Sequence, residues 1–306
     1  VSYTHNKKYI IIAGCSYAHK SLKTIHELMG SPNDEEMEFI HVNTSASNNE
    51  YICESILLTC NSLLNEKVNP SNILVINNYT QIGRFNPVVP KELESEIEKT
   101  LTKTEYRSLK SFSYEFFNTF VKVNKRLYSL MLGSYGLPNR SKKWIEEHEK
   151  YFTTLKRPLS YFEDYLKSVI FVQNYLKEKK IEQISFMMSN VFEGWGDDLS
   201  HIYTKSKEWK LPSTKNTKHI SELSEILKIY WDSVDLNKIT FYETEENKYG
   251  GIDEYFINEF TDKKYLQDVD SRGYWFANHP IEEVYEKFTN ELLKPKLLKW
   301  KAQHIL

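Results

Sequence analysis

The chain has 306 residues, 40 Lys plus Arg against 42 Asp plus Glu, and a formal net charge of -2, so no charge excess marks nucleic acid or an anionic membrane as a partner. No apolar run approaches bilayer-spanning length and no signal-peptide pattern opens the sequence, so no membrane partner is expected; a cleaved signal would leave no trace, so the location stays open between cytoplasmic, virion-associated and secreted. The three cysteines, Cys15, Cys53 and Cys60, form neither a close-spaced metal motif nor a dense disulfide framework, so no metal, no cofactor and a reducing compartment are expected.

Residues 10–13, Ile-Ile-Ile-Ala, are a continuous apolar run and predict a strand buried on both faces. The run stops at Gly14. From Ser16 on, Ala18, Leu22, Ile25, Leu28 and Met29 keep helical spacing. Ser16 therefore stands where a buried strand hands over to a helix, at the carboxyl end of the strand. In open α/β sheets ligands bind at that edge. A serine there serves either as a nucleophile, if a base reaches it, or as the N-cap of the helix.

A second strand is predicted over 38–42. It runs into Asn43-Thr-Ser-Ala-Ser-Asn-Asn-Glu-Tyr-Ile52, a polar stretch before a helix marked by Ile52, Ile56, Cys60, Leu63 and Leu64. Ser47, Asn48 and Asn49 are each N-cap candidates, and the N–H groups of such a helix start suit an anion. A third strand, 73–76, ends in polar residues from Asn77 to Arg84. If this strand lies beside the first, those residues face Ser16 across the crevice. Amides and hydroxyls there can donate to a developing oxyanion, or simply satisfy their own backbone.

Residues 85–160 exceed an ordinary connection. The pattern predicts a helical insertion, with a charged helix over 91–103 and an aromatic-rich helix over 113–132. Such an excursion forms a lid or binding loop, thickens the fold, or makes an oligomer contact. A helix carrying Phe162, Leu166, Val169, Val172 and Leu176 then precedes a fourth strand at 184–188. Another, carrying Ile220, Leu223, Ile226, Leu227 and Tyr230, precedes a fifth at 238–242. Between them, Asp197, Asp198 and His201 read as a surface loop, a ligand set incomplete for a closed zinc site. Residues 243–278 form a second long loop with little periodicity.

His279-Pro280 then precedes a last helix, marked by Ile281, Val284, Tyr285, Phe288 and Leu292. Proline is favoured in a first helical turn, and the helix dipole there favours a neutral imidazole that can act as a general base. Strands alternating with helices predict one α/β domain over 1–306, built on a parallel sheet covered on both faces with right-handed crossovers.

In order, these blocks resemble the SGNH/GDSL hydrolase superfamily, and most closely its divergent phage-type members. Gly14-Cys15-Ser16-Tyr17 stands where the family has its nucleophile block. Ala46-Ser-Asn-Asn-Glu-Tyr-Ile52 stands at the oxyanion block, Val75-Ile-Asn-Asn-Tyr-Thr80 followed by Arg84 at the third block, and His279-Pro280 at the last. The resemblance covers all five strands but not 85–160. It implies a flavodoxin-like doubly wound five-stranded parallel sheet of SGNH-hydrolase type. It also implies a serine esterase or deacetylase acting on a small-molecule or glycan O-acyl ester, or an O-acyltransferase. Ser16 would be the nucleophile and His279 the base. The oxyanion would be held by the Ser16 N–H, an N–H near Ala46, and a side chain at Thr80, Asn78 or Asn49, with Arg84 binding substrate. The family's acid precedes its histidine by three residues or two. Phe276 and Ala277 fill those places here, which leaves Asp268 or Asp270, or a Ser-His dyad. The missing acid also admits a binding or structural protein on the same scaffold, such as a virion component.

Overall fold

The computed structural model describes residues 7–30, 36–43, 48–80, 120–123, 126–129, 158–189, 217–245, 248–260, 280 and 282–304. Its centre is a five-stranded sheet. The strands are β1 (Lys8–Gly14), β2 (Met37–Asn43), β3 (Ile73–Tyr79), β6 (Glu182–Met187) and β7 (Ile239–Thr240), in the spatial order β2-β1-β3-β6-β7 and all parallel. All five predicted strands are in it.

The apolar runs are continuous because both faces are covered. On one face Ile10, Ile12, Leu74 and Ile76 pack against α1 (Ser16–Met29), and against α6 (Glu282–Phe288) and α7 (Lys294–His304) at the end of the chain. On the other, Ile11, Ala13 and Val75 meet α2 (Asn49–Asn65) and α3 (Pro158–Lys179). A third cluster, including Tyr79, Leu166, Met187 and Leu227, extends that face to α4 (Thr217–Ser233). Ile10, Ile11 and Ile12 are all fully buried, and each such side chain contributes roughly 1.5–3 kcal/mol. Parallel pairing requires crossovers, and α1, α2, α3 and α4 supply them.

The excursions differ from expectation. The pattern predicts one helix over 113–132, but β4 (Phe120–Val123) and β5 (Arg126–Ser129) form an antiparallel pair there. Two residues separate them in sequence, and the β-branched Val121 and Val123 alternate, which is the hairpin signal that a count of aromatic spacings hides. Within the loop predicted over 243–278, Ile252–Glu259 forms a helix, α5. Its Ile252, Tyr255 and Phe256 are buried at helical spacing, in a segment whose surrounding charges mask so short a period.

The last predicted helix is two. A π-turn over Thr289–Leu293 joins α6 to α7, and the Lys294 N–H reaches back to the Thr289 carbonyl. Pro295 lies just beyond. Proline cannot donate a helical hydrogen bond and crowds the carbonyl four residues back, so the wider turn before it relieves the helix. The α6–α7 arm lies along α1 in the same direction. Lys23 Nζ pairs with Glu282 at 3.4 Å and Glu286 at 3.0 Å, while Lys301 Nζ donates to the Leu28 carbonyl at 3.3 Å. The arm therefore starts toward the edge where α1 starts, the carboxyl edge of the sheet.

Candidate site at the switch point

β1 has β2 on one side and β3 on the other, and the connections leave it in opposite directions. The carboxyl ends of β1 and β3 thus bound the crevice where ligands bind in such sheets. Gly14 closes β1 with φ of 146°, a region that favours glycine. A Cβ there would lie 2.7 Å from Ala18 Cβ and 2.8 Å from Asn78 Cβ. Glycine is required for β1, α1 and β3 to meet this closely.

Cys15, not Ser16, occupies the N-cap position of α1, and it makes no side-chain cap bond. Ser16 is the first residue of the helix. The capping alternative for Ser16 is thereby removed, because the extended backbone conformation of an N-cap falls one residue earlier. The Cys15 thiol turns inward and is fully buried. It donates to Asn78 Oδ1 at 3.2 Å and lies 3.9 Å from Met188 Sδ.

Asn78 is also fully buried, and among the described residues its Nδ2 has no hydrogen-bond partner. A buried amide donor left without a partner costs roughly 1–3 kcal/mol. Thr80 is buried as well, and its hydroxyl donates to Met188 Sδ at 3.7 Å. Asn49 pairs with the Thr80 backbone on both sides: Nδ2 donates to the carbonyl at 3.0 Å, and Oδ1 accepts from the N–H at 2.9 Å. Of the three cap candidates for α2, Asn48 is the cap, accepting from the Tyr51 N–H at 2.8 Å. Asn77 alternates to the opposite face of β3. That face also carries Tyr79 and, on β6, Gln183, whose Nε2 lies 3.3 Å from the Tyr79 hydroxyl and 2.6 Å from Ser185 Oγ. Burial pushes the Tyr79 phenol well above its ordinary range, so it stays protonated.

The end of β6 completes the rim. The Met188 N–H donates to the Tyr79 carbonyl at 2.9 Å, and the Asp253 N–H donates to the Met188 carbonyl at 3.0 Å. At the start of α5, a Cβ on Gly251 would lie 2.5 Å from the Met187 carbonyl oxygen. The backbone at α5 thus lies directly on β6. Cys15, Met188 and Gly251 escaped the sequence reading. The Gly250-Gly251 pair was the available signal for the last, since paired glycines mark close backbone approach.

The site residues thus divide. Asn49, Asn78 and Thr80 are brought together with the backbone of Ser16 at one edge. His279, Ala46, Arg84, Asp268 and Asp270 lie outside the described residues, as do Asp197, Asp198 and His201 and the 91–103 helix. Pro280, next to His279, is buried, and the helix after it packs on α1. Among the described residues no group of three His, Cys, Asp or Glu side chains could hold a metal ion, and no helix is long and apolar enough to cross a membrane.

The fold defines an α/β protein with an open, five-stranded, all-parallel sheet. No family model matches the chain, and no curated protein matches it. Chemically, the edge offers the backbone N–H groups of a helix start together with a side-chain amide that has no partner among the described residues, a combination suited to an oxyanion.

Proposed function

We propose that the protein is an SGNH-like serine hydrolase, an esterase or deacetylase acting on an O-acyl ester such as that of an acetylated glycan. Ser16 attacks the acyl carbon while His279 takes the hydroxyl proton. The leaving alcohol receives that proton, and water then releases the acid from the acyl-serine. The Ser16 N–H and Asn78 Nδ2 hold the oxyanion. Removing one such donor raises the barrier by roughly 3–4 kcal/mol.

One observation carries this reading. Ser16 opens α1 at the switch point, one residue past the N-cap position, beside the strand end whose Asn78 amide has no partner among the described residues. The strand order supports a flavodoxin-like sheet of the SGNH type. The direction of the α6–α7 arm supports His279 as the base, because the arm starts toward the same edge.

The test is covalent labelling by a fluorophosphonate. The reagent should label the wild type at Ser16 and leave Ser16→Ala unlabelled, and His279→Ala should lose hydrolysis of a short-chain aryl ester. A folded wild type that neither labels nor hydrolyses favours the second reading, a non-catalytic binding or structural protein. Full burial of Asn78 and Thr80, with Phe276 and Ala277 in place of an acid, is what favours that alternative.

A further inference from the structure

Thr80 stands just past the end of β3. The ladder there closes with the Met188 N–H on the Tyr79 carbonyl, at 2.9 Å, and Thr80 itself is fully buried. Its N–H and C=O would each cost roughly 1–3 kcal/mol if left unpaired. Asn49 takes both, at 2.9 and 3.0 Å. A carboxamide presents a donor and an acceptor side by side, as a peptide edge does, so Asn49 stands in for a neighbouring strand.

The consequence is geometric. Asn49 is the first residue of α2, directly after the cap residue Asn48. A rigid helix start is thereby held at one spacing from the strand end that carries Asn78 and Thr80. The strand end bears Asn78, one of the two groups proposed above to hold the oxyanion, and lies against Gly14 and Cys15 just ahead of the other, the Ser16 N–H. Asn49 has committed its oxygen and one amide hydrogen to Thr80, which fits a support better than a donor.

We infer that Asn49 is a positioning residue: it locks the end of β3 to the start of α2 and so sets the oxyanion geometry. The inference rests on the hydrolase reading. The experiment compares wild type, Asn49→Ala and Asn49→Asp by amide hydrogen exchange at Thr80, with Val75 in the strand interior as reference. Steady-state hydrolysis of a short-chain aryl ester is measured beside it.

In Asn49→Ala, Thr80 exchange should rise at least about tenfold relative to Val75. kcat should fall by about 10- to 100-fold and KM should stay within about threefold, because a small misplacement of transition-state groups acts on kcat. Asn49→Asp keeps the acceptor for the Thr80 N–H but turns a carboxylate oxygen against the Thr80 carbonyl, so Thr80 exchange should rise and kcat should fall at least as far as in Asn49→Ala. It also decides the matter if Asn49→Ala does not fold. Unchanged Thr80 exchange overturns the clamp, and faster exchange with unchanged kcat overturns the positioning role. A wild type without hydrolysis or labelling removes that role together with the hydrolase reading. Thr80 exchange then still tells whether the clamp exists, so the two failures are distinguishable.

Discussion

Gly14 and Asn78 meet so closely that no side chain fits between them: a Cβ on Gly14 would lie 2.8 Å from Asn78 Cβ. Gly14→Ala must therefore push β1 and β3 apart or displace Ala18, and must hold alanine at φ of 146°. A loss of about 2–4 kcal/mol is expected. Urea unfolding checks it, as a lowered midpoint with an unchanged m-value.

Asn48 and Ser16 separate capping from other roles. Asn48→Ala removes the acceptor of the Tyr51 N–H and should cost about 1 kcal/mol. Ser16→Ala removes no N-cap, because Cys15 holds that position, and should stay within about 0.5 kcal/mol of wild type. If the serine variant lost as much stability as the asparagine variant in the same titration, Ser16 would have a structural role.

Two histidines give the fold an acid sensitivity. His26 on α1 and His41 on β2 have ring centroids 5.2 Å apart. Burial holds both below their ordinary range, His41 at about 4, with His26 beside it adding to the shift. Between the unfolded value of about 6.5 and the folded value, the unfolded chain binds more protons, so stability falls as pH drops through that window and levels off below it. Allowing for solvent screening, His41 accounts for about 2 kcal/mol of this loss. His41→Gln should flatten the profile of unfolding free energy between pH 7 and pH 4.

Phe288 ties the last helices to the sheet. It is fully buried, with ring centroids 5.9 Å from Phe186 on β6 and 5.4 Å from Tyr255 on α5. Phe288→Ala should cost about 3–5 kcal/mol, and Phe288→Leu much less. Because α6 follows His279, the alanine variant should also label more slowly with a fluorophosphonate, measured below its own melting temperature.

Five strands, the helices that link them and the junction at Gly14-Cys15-Ser16 are legible in the order of residues alone. Those signals are local: an apolar run and a helical period are read within one segment. That order did not reveal α5 or the hairpin of β4 and β5, where short elements sit among charges and aromatics that obscure their period. That β1 lies between β2 and β3 emerges only on folding, because parallel neighbours are chosen by packing across long crossovers. Folding also decided which polar residue does what. Asn48, Asn49 and Asn78 look alike in sequence, yet one caps α2, one pairs with a backbone 31 residues away and one accepts from the Cys15 thiol. The physical reason is that a carboxamide's role is set by the groups brought within about 3 Å of it, and those come from distant segments that only folding assembles.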